Sequence, residues 1–418
     1  MSSGKTTTFS LVATFLLNLA LQAAGPAVKP GDRAGSLNVD PAQNRRAVRF
    51  SSGLKEMDRN HPARPSATNL PSIDETEKAV VRALNWLTGE QQEEGYWQKT
   101  HSKVAHTGLA ALCYLSFGVM PEDNTPYGRA LDKGTEWMIK QVNKYGDMRD
   151  GDKMYGQAIG ALTMAEMYII TKDEKYRKPL QAAINFISKA QNPKSGGWRH
   201  QPWPSSSQRG DLSVTGWIYM ALQSAKKAGI DVSKETLDKA DKFISSVSAG
   251  EAKGLYGYLR SLPTASMTSV GMFCRQLAGS DGNENRQAES AEYLSTHLPQ
   301  PDQQLRGTGH YHYWYYGTHA MYLHGGDEWA AWHEELVPIL LVKQETDGSW
   351  SPQGQRAKHE GRVVTTAWAT LSLTVYYKCL PMLQGTQTKS PRKYGTKKKK
   401  PKKTSVTGRF LRQTPRGR

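Results

Sequence analysis

The chain has 418 residues, 38% hydrophobic and 22% charged, a balance that fits a globular protein and excludes a fibrous or wholly disordered polymer. The formal net charge is +17, but thirteen Lys or Arg and no acid fall between Lys389 and Arg418. Everything before that stretch therefore carries about +4 (17 − 13), and the body of the protein is not a polycation. Three cysteines, Cys113, Cys274 and Cys379, are odd in number and widely spaced, which excludes a disulfide framework and a paired-thiolate metal site; Cys113 and Cys274 read as buried free thiols.

At the amino end, Lys5 precedes the apolar run "FSLVATFLLNLALQAAG", which breaks at Gly25-Pro26. Residues 1–24 read as an export signal, because the run falls short of the ~20 apolar residues of a membrane span; an uncleaved anchor is the alternative. Residues 25–75 are rich in Pro, Ser, Asn, Arg and Gly without a sustained period and read as a linker or an arm. Helical structure is expected to begin near Asp74, where "SIDETEKAVVRALNWL" offers Ser72 and Asp74 as caps.

From there the chain repeats. Trp86, Trp137, Phe186, Phe243 and Tyr293 are 51, 49, 57 and 50 residues apart, a period that marks a repeated supersecondary unit. In each unit a first helix with apolar residues at helical spacing leads into a Gly-rich turn, and a second helix follows. The second helices ("HTGLAALCYL", "YGQAIGALTMAEMY", "SVTGWIYMAL", "SMTSVGMFCRQLAG", "YYGTHAMYLHGG", "VVTTAWATLSL") carry small residues on several faces, as helices buried all round require. They form the expected inner ring, and the first helices the outer ring. Gly95, Gly197 and Gly348 are expected to take positive φ after the first helix. The following Trp97, Trp198 or Trp350 then folds back on the helix end, and Gln91, Gln191 or Gln344 bonds a neighbouring end.

The turns "QQEEGYW", "QNPKSGGW" and "QETDGSW" resemble the QW repeats of squalene and hopene cyclases. The layout of six helical pairs over about residues 76–383 is similar to the α/α toroid of those cyclases, of protein prenyltransferase β subunits and of complement thioester domains. The resemblance implies an all-α toroid of about six helical hairpins. In the cyclases, an Asp-x-Asp-Asp-Thr motif at the start of an inner helix protonates an alkene. Aligned on Thr215, this chain reads Asp211-Leu212-Ser213-Val214-Thr215: the first aspartate is kept, and Ser213 stands where the family's proton donor would be. The prenyltransferases' Asp, Cys and His zinc ligands reduce here to His319 alone, and no cofactor or metal site is implied. The thioester domains' Gly-Cys-Gly-Glu-Gln is absent.

The candidate site is aromatic. In "GHYHYWYYGTHAMYLH", His312, Tyr315, Tyr316 and His319 fall at i, i+3, i+4 and i+7, one face of a helix, with Trp314 beside them. Together with His106, Tyr155, Gln157, Trp217, Arg275 and Trp368 from other inner helices, they are the candidate lining of one mouth, suited to a polyene or a sugar. A packed core with satisfied hydroxyls is the competing reading. Buried Glu166 and Arg275 are each paired or functional. As proton donors the candidates are Asp211 and His319. Asp211 also fits an N-cap, where backbone N–H groups and the helix dipole favour the carboxylate over the acid.

The function these readings support is an exported cyclase-like toroid that binds an apolar, isoprenoid-like ligand in an aromatic mouth. The alternatives are a non-catalytic binding module and an α/α-toroid polysaccharide lyase or hydrolase, which would want acid and base groups near Arg275 and a glycan as ligand. The tail at 384–418 is expected to be disordered and to attract anionic polymer or a membrane surface; export disfavours nucleic acid as its partner.

Overall fold

The structure, a computed structural model, describes residues 73–384 apart from 99–101, 150–152, 206–207, 280–283, 302–309, 353 and 378. The expected export signal, the arm as far as residue 72 and the basic tail from residue 385 lie outside these residues. Among the described residues are twelve α-helices and one two-stranded ribbon, Ser248–Ala249 against Leu255–Tyr256.

The helices alternate between two rings. The outer ones are α1 (Ile73–Glu90), α3 (Pro126–Gln141), α5 (Arg177–Lys189), α7 (Lys234–Ser246), α9 (Glu284–Ser295) and α11 (Gly326–Lys343). The inner ones are α2 (Lys103–Ser116), α4 (Met154–Thr171), α6 (Leu212–Lys227), α8 (Ala265–Leu277), α10 (Tyr311–His324) and α12 (Gly354–Leu373). Inner helices are buried almost throughout, α12 from Val363 onward, after a kink at Gly361, whereas outer helices bury one stripe: α5 buries only Leu180, Ala183, Ile184 and Ile187. Each inner helix packs on the next, and α12 packs on α2, so the ring closes on itself and leaves no unpartnered end.

The repeated turns make the closure. Trp97, Trp198 and Trp350 are 0–1% exposed, and each indole N–H donates to the last turn of its own outer helix, at Leu87, Ile187 and Leu340 (2.7–2.8 Å). Each Trp backbone N–H donates to an inner-helix threonine, Thr107, Thr215 or Thr366. The turn glutamines each bridge two carbonyls, one in their own turn and one in the next outer helix. Gln91 reaches Ala130 and Gln191 reaches Thr236; Gln344 reaches Ala79 at 2.8 Å and so ties α11 to α1 across the seam. The positive φ in the third turn falls on Gly196 (φ 77°) and not on Gly197 as the sequence suggested, because this turn holds one more residue after its glutamine. A Cβ on Gly196 would lie 2.3 Å from the Lys239 carbonyl oxygen, too close for any other residue.

Two turns reach the same result with other residues. In the second, Val142 and Met148 replace Gln and Trp. Gln157 of α4 accepts from the Met148 N–H (3.0 Å) and donates to Gly146 O and Ala183 O, so one amide does the work of both the threonine and the glutamine elsewhere. In the fourth turn, Tyr256 takes the Trp place and donates its N–H to Thr268. The Glu289 carboxylate gathers the N–H groups of Glu251, Ala252 and Gly254.

The thiols of Cys113 and Cys274 are buried and donate weakly to the inner-helix carbonyls of Ala367 and Gly216; burial raises both, Cys274 to about 12. Among the described residues, no helix is long and apolar enough to cross a membrane. The chain ends its described path in two 3-10 turns, Val375–Tyr377 and Pro381–Leu383, the second lying against α4 and α6 at the C-terminal end of the inner ring.

Candidate functional site

The inner helices begin at the same end of the ring as the Trp turns, the end at which the sequence reading puts the mouth. Its best-connected wall comes from α4, α6 and the loop before α8. Asp211 caps α6 with backbone φ −121° and ψ 156°, accepting from the Val214 N–H at 2.9 Å. It is fully buried and forms an ion pair with Arg199 at 3.0 Å. The Ser213 hydroxyl donates to Asp211 at 2.7 Å, so Tyr155, 2.7 Å from Ser213, must be the donor of the next bond outward. Arg199 also donates to the Tyr258 hydroxyl at 3.2 Å and lies over the same ring. His200 stands 5.5 Å from the Tyr155 ring; burial first, with Lys153 and Arg199 adding, outweighs Asp211 and holds the imidazole below its usual range. Its Nδ1 is buried with no hydrogen-bond partner among the described residues.

Three carboxylates at this end share one feature. Asp211, Asp147 and Asp347 are each ion-paired with an arginine: Arg199, Arg149 and Arg362. For Asp147 and Asp347, burial alone would raise the carboxyl, but hydrogen bonds from Arg149, and from Ser349 and Arg362, with the arginine charges, bring it below its usual value. A carboxylate held this way is a poor donor of protons to carbon.

Beneath the wall the ring centre is packed. Trp217 stacks on Tyr315 (5.3 Å, 11°) and meets Tyr316 edge-on (5.5 Å). Phe273 contacts Tyr316 and His319, and Tyr315 contacts His319 at 4.5 Å. All five side chains are 0–1% exposed. The spacing in α10 places residues as the helical period requires: His312 over Tyr316 at 4.9 Å, and Tyr315 over His319. His312 also meets Trp368 edge-on at 5.6 Å and lies 3.3 Å from the Ser266 hydroxyl, which makes it the link between mouth and centre. Three polar groups of this column, the hydroxyls of Tyr315 and Tyr316 and the Trp368 indole N–H, are buried without a hydrogen-bond partner among the described residues. Such groups are uncommon in folded proteins.

The structure sorts the sequence candidates. Tyr155, His312 and Trp368 stand where mouth meets centre, and Trp217, Tyr315, Tyr316 and His319 form the packed column. His319 is held neutral: burial lowers it to about 4 despite the bond between Nδ1 and the Tyr315 carbonyl. That carbonyl can only accept, so Nδ1 carries the proton. At neutral pH His319 therefore has no acidic proton to offer. Gln157 is spent on the second turn, as described. Arg275 points to the outer helix α7, paired with Asp241 at 3.0 Å and bonded to Ser245. His106, 2% exposed, is bound through Nδ1 to the Ser102 carbonyl, and Trp314, 1% exposed, packs edge-on against Tyr311 in the ring wall. His310 caps α10 through Nδ1, which separates its role from that of His312 and His319; among the described residues no three His, Cys, Asp or Glu are placed to hold a metal. Arg199, His200, Tyr258 and Ser266 were not singled out by the sequence reading. Arg199 and His200 come from the run "WRHQPW" ahead of the Asp211 helix, Tyr258 from the loop before α8 and Ser266 from the first turn of α8.

No protein-family model and no curated protein sequence matches the chain. Solved structures do. Apo type II terpene cyclase MstE from Scytonema superposes with a TM-score of 0.54 at 13% identity, over 75% of this chain and 100% of the cyclase. A variant of that cyclase in complex with geranylgeranyl dihydroxybenzoate gives 0.51 at 12% identity, over 74% and 98%. An inactive variant of the α-1,6-mannanase GH76A of Salegentibacter sp. HEL1_6, in complex with α-1,6-mannotriose, gives 0.53 at 11% identity, over 73% and 99%. At such identities the likeness establishes the fold, and the fold is the α/α toroid that a terpene cyclase and a mannanase share.

Proposed function

We propose that this protein is an exported carbohydrate-binding toroid that does not carry out proton-initiated cyclisation. One observation carries the reading: the accessible groups at the mouth are polar and aromatic, while the centre beneath them is packed. Tyr155, His200, Arg199, Tyr258, Ser266 and His312 offer hydroxyl, imidazole and guanidinium groups next to ring faces. A sugar presents the complementary pattern, an apolar face rimmed by hydroxyls. The mannanase that shares the fold binds α-1,6-mannotriose, which supports a glycan as the ligand class. The aspartate that matches the cyclase motif is capped and ion-paired, and Ser213 stands in the donor position. In the same reading, residues 1–24 direct export, and the basic tail holds the protein near anionic polymer or membrane of the cell envelope.

A second reading has one observation in its favour. The faces of Trp217, Phe273, Tyr315 and Tyr316 would suit an isoprenoid, provided the column opened to admit it. Isothermal titration of the full chain with α-1,6-mannotriose, a panel of other soluble oligosaccharides and geranylgeraniol separates the two. Saturable glycan binding that weakens at least tenfold in Tyr155→Ala and His312→Ala is expected. Binding of geranylgeraniol alone, lost in Trp217→Ala, would replace the proposal with the isoprenoid reading.

A further inference from the structure

At the end of the ring opposite the mouth, one buried carboxyl joins two remote parts of the chain. Glu166, near the end of α4, is fully buried. One of its oxygens accepts from the Ser224 hydroxyl of α6 and the other from the Met382 backbone N–H at 3.1 Å, 216 residues away in sequence. Lys227, one turn beyond Ser224, donates to the carbonyls of Pro381 (2.7 Å) and Gln384. The segment so held is short, and Leu380, Met382 and Leu383 bury their side chains beneath it. Within reach of the Glu166 charge lies Tyr315, whose hydroxyl has no hydrogen-bond partner among the described residues.

We propose that the segment Leu380–Gln384 is a releasable strap across the C-terminal end of the inner ring, latched by Glu166, and that its release opens the ring interior from the side opposite the mouth. The inference rests on this geometry and is independent of the ligand that the mouth takes. An ionised carboxylate at this position would have to give up its hydration, and a neutral carboxyl would not. The groups facing Glu166 are few: Ser224 and Lys227 from α6, Tyr315 from α10 and the Met382 N–H from the strap. Burial is the largest influence and raises Glu166 to about 7, against the Ser224 and Met382 hydrogen bonds and the Lys227 charge, which lower it. A carboxyl whose folded pKa is raised binds its proton more tightly in the closed state. The closed strap is therefore favoured at low pH, and that advantage is lost as pH rises from about 4.5 through about 7.

Hydrogen–deuterium exchange of the full chain tests this, followed in a peptide covering residues 379–384 and corrected for the intrinsic pH dependence of exchange. Between pH 5.5 and 8.5 the protection of the strap is expected to fall by roughly thirtyfold, as a carboxyl pKa moved from 4.5 to about 7 requires. Protection of α1, on the outer ring, should stay level. Glu166→Gln, which mimics the protonated carboxyl, should keep the strap protected at both pH values. Lys227→Met is the second variant: without the cation that favours ionisation, the midpoint of opening should move to higher pH, whatever happens to the absolute protection. Strap protection that does not change with pH, a pH-dependent fall that persists in Glu166→Gln, or a midpoint that moves downward in Lys227→Met would each overturn the proposal.

Discussion

Replacement of Asp211 separates the structural role of the mouth carboxylate from a chemical one. Its two oxygens take three bonds: one from the Val214 N–H, one from the Ser213 hydroxyl and one from Arg199. Asparagine keeps an oxygen for Val214 and Ser213 and loses the charge opposite Arg199. Arginine's side chain is 22% exposed, so water recovers part of that loss, and the expected cost is about 1 kcal/mol. Alanine removes the cap as well, worth about 1 kcal/mol, and leaves the guanidinium and a buried hydroxyl without their acceptor. The sum for Asp211→Ala is about 2–4 kcal/mol, above the ~1 kcal/mol of a cap alone, because the arginine pairing was not visible in the sequence. Denaturant unfolding of the two variants and the wild type measures both quantities. If Asp211→Ala cost less than about 0.5 kcal/mol, the capping argument would fail. If Asp211→Asn kept its stability and abolished an activity of the wild type, the carboxylate would be catalytic.

Further outcomes follow from the same geometry. Gln344→Ala leaves the Ala79 and Gly348 carbonyls short of a donor at the seam of the ring, and should cost about 1–3 kcal/mol and speed exchange in α1 more than in α7, as read by denaturant unfolding and hydrogen exchange. Gly196→Ala places a methyl group against the Lys239 carbonyl at positive φ and should destabilise by more than 1 kcal/mol, whereas Gly229→Ala, at a similar φ with open space around it, should cost less; equal losses would remove the close-approach argument. His319, lowered to about 4 by burial, binds protons more weakly when folded than when unfolded, so its contribution to stability is present above about 6.5 and lost as pH falls towards 4; the stability difference between wild type and His319→Phe should shrink over that window. Tyr316→Phe removes a buried hydroxyl that has no partner among the described residues and should leave unfolding stability equal or higher; a loss of about 1 kcal/mol or more would show that the hydroxyl is bonded.

Much of the fold was legible because its signals are periodic. A fifty-residue spacing of aromatic anchors can only be satisfied by stacked copies of one unit, and small residues on several faces identify the inner helices. The Asp211 cap and the shared face of His312, Tyr315, Tyr316 and His319 are local as well, set by three- and four-residue spacings. What periodicity does not carry is the pairing of residues across the ring. Arg199 and Asp211 are twelve apart, Arg275 and Asp241 thirty-four, and Glu166 and Met382 216. Nothing in the pattern of α8 says that Arg275 points to the outer ring instead of the mouth. Gln157 misled for a related reason: it stands at the start of an inner helix like a ligand residue, and only the missing glutamine in its own turn reveals that it is structural.

The geometry of the ring explains how one scaffold serves a hydrocarbon cyclase and a glycan hydrolase, and where this chain stands between them. Six inner helices begin at one end, so their partly positive termini converge on the mouth. Oxygen-rich ligands and carboxylates are stabilised there whatever the sequence. A carboxyl needed as a strong acid must be shielded from that bias, because every N–H and guanidinium nearby holds the proton-free form. At the mouth of this protein the bias is reinforced at Asp147 and Asp347, which Arg149 and Arg362 help to hold below their usual values. The carboxyl that burial raises lies instead at the far end, against the strap. With a value of about 7, it is a much weaker acid than an alkene demands. The two places are separated by the packed aromatic column of Trp217, Tyr315, Tyr316 and His319. A hydroxylated ligand at the mouth needs no strong acid, since aromatic faces and fixed donors suffice to bind it.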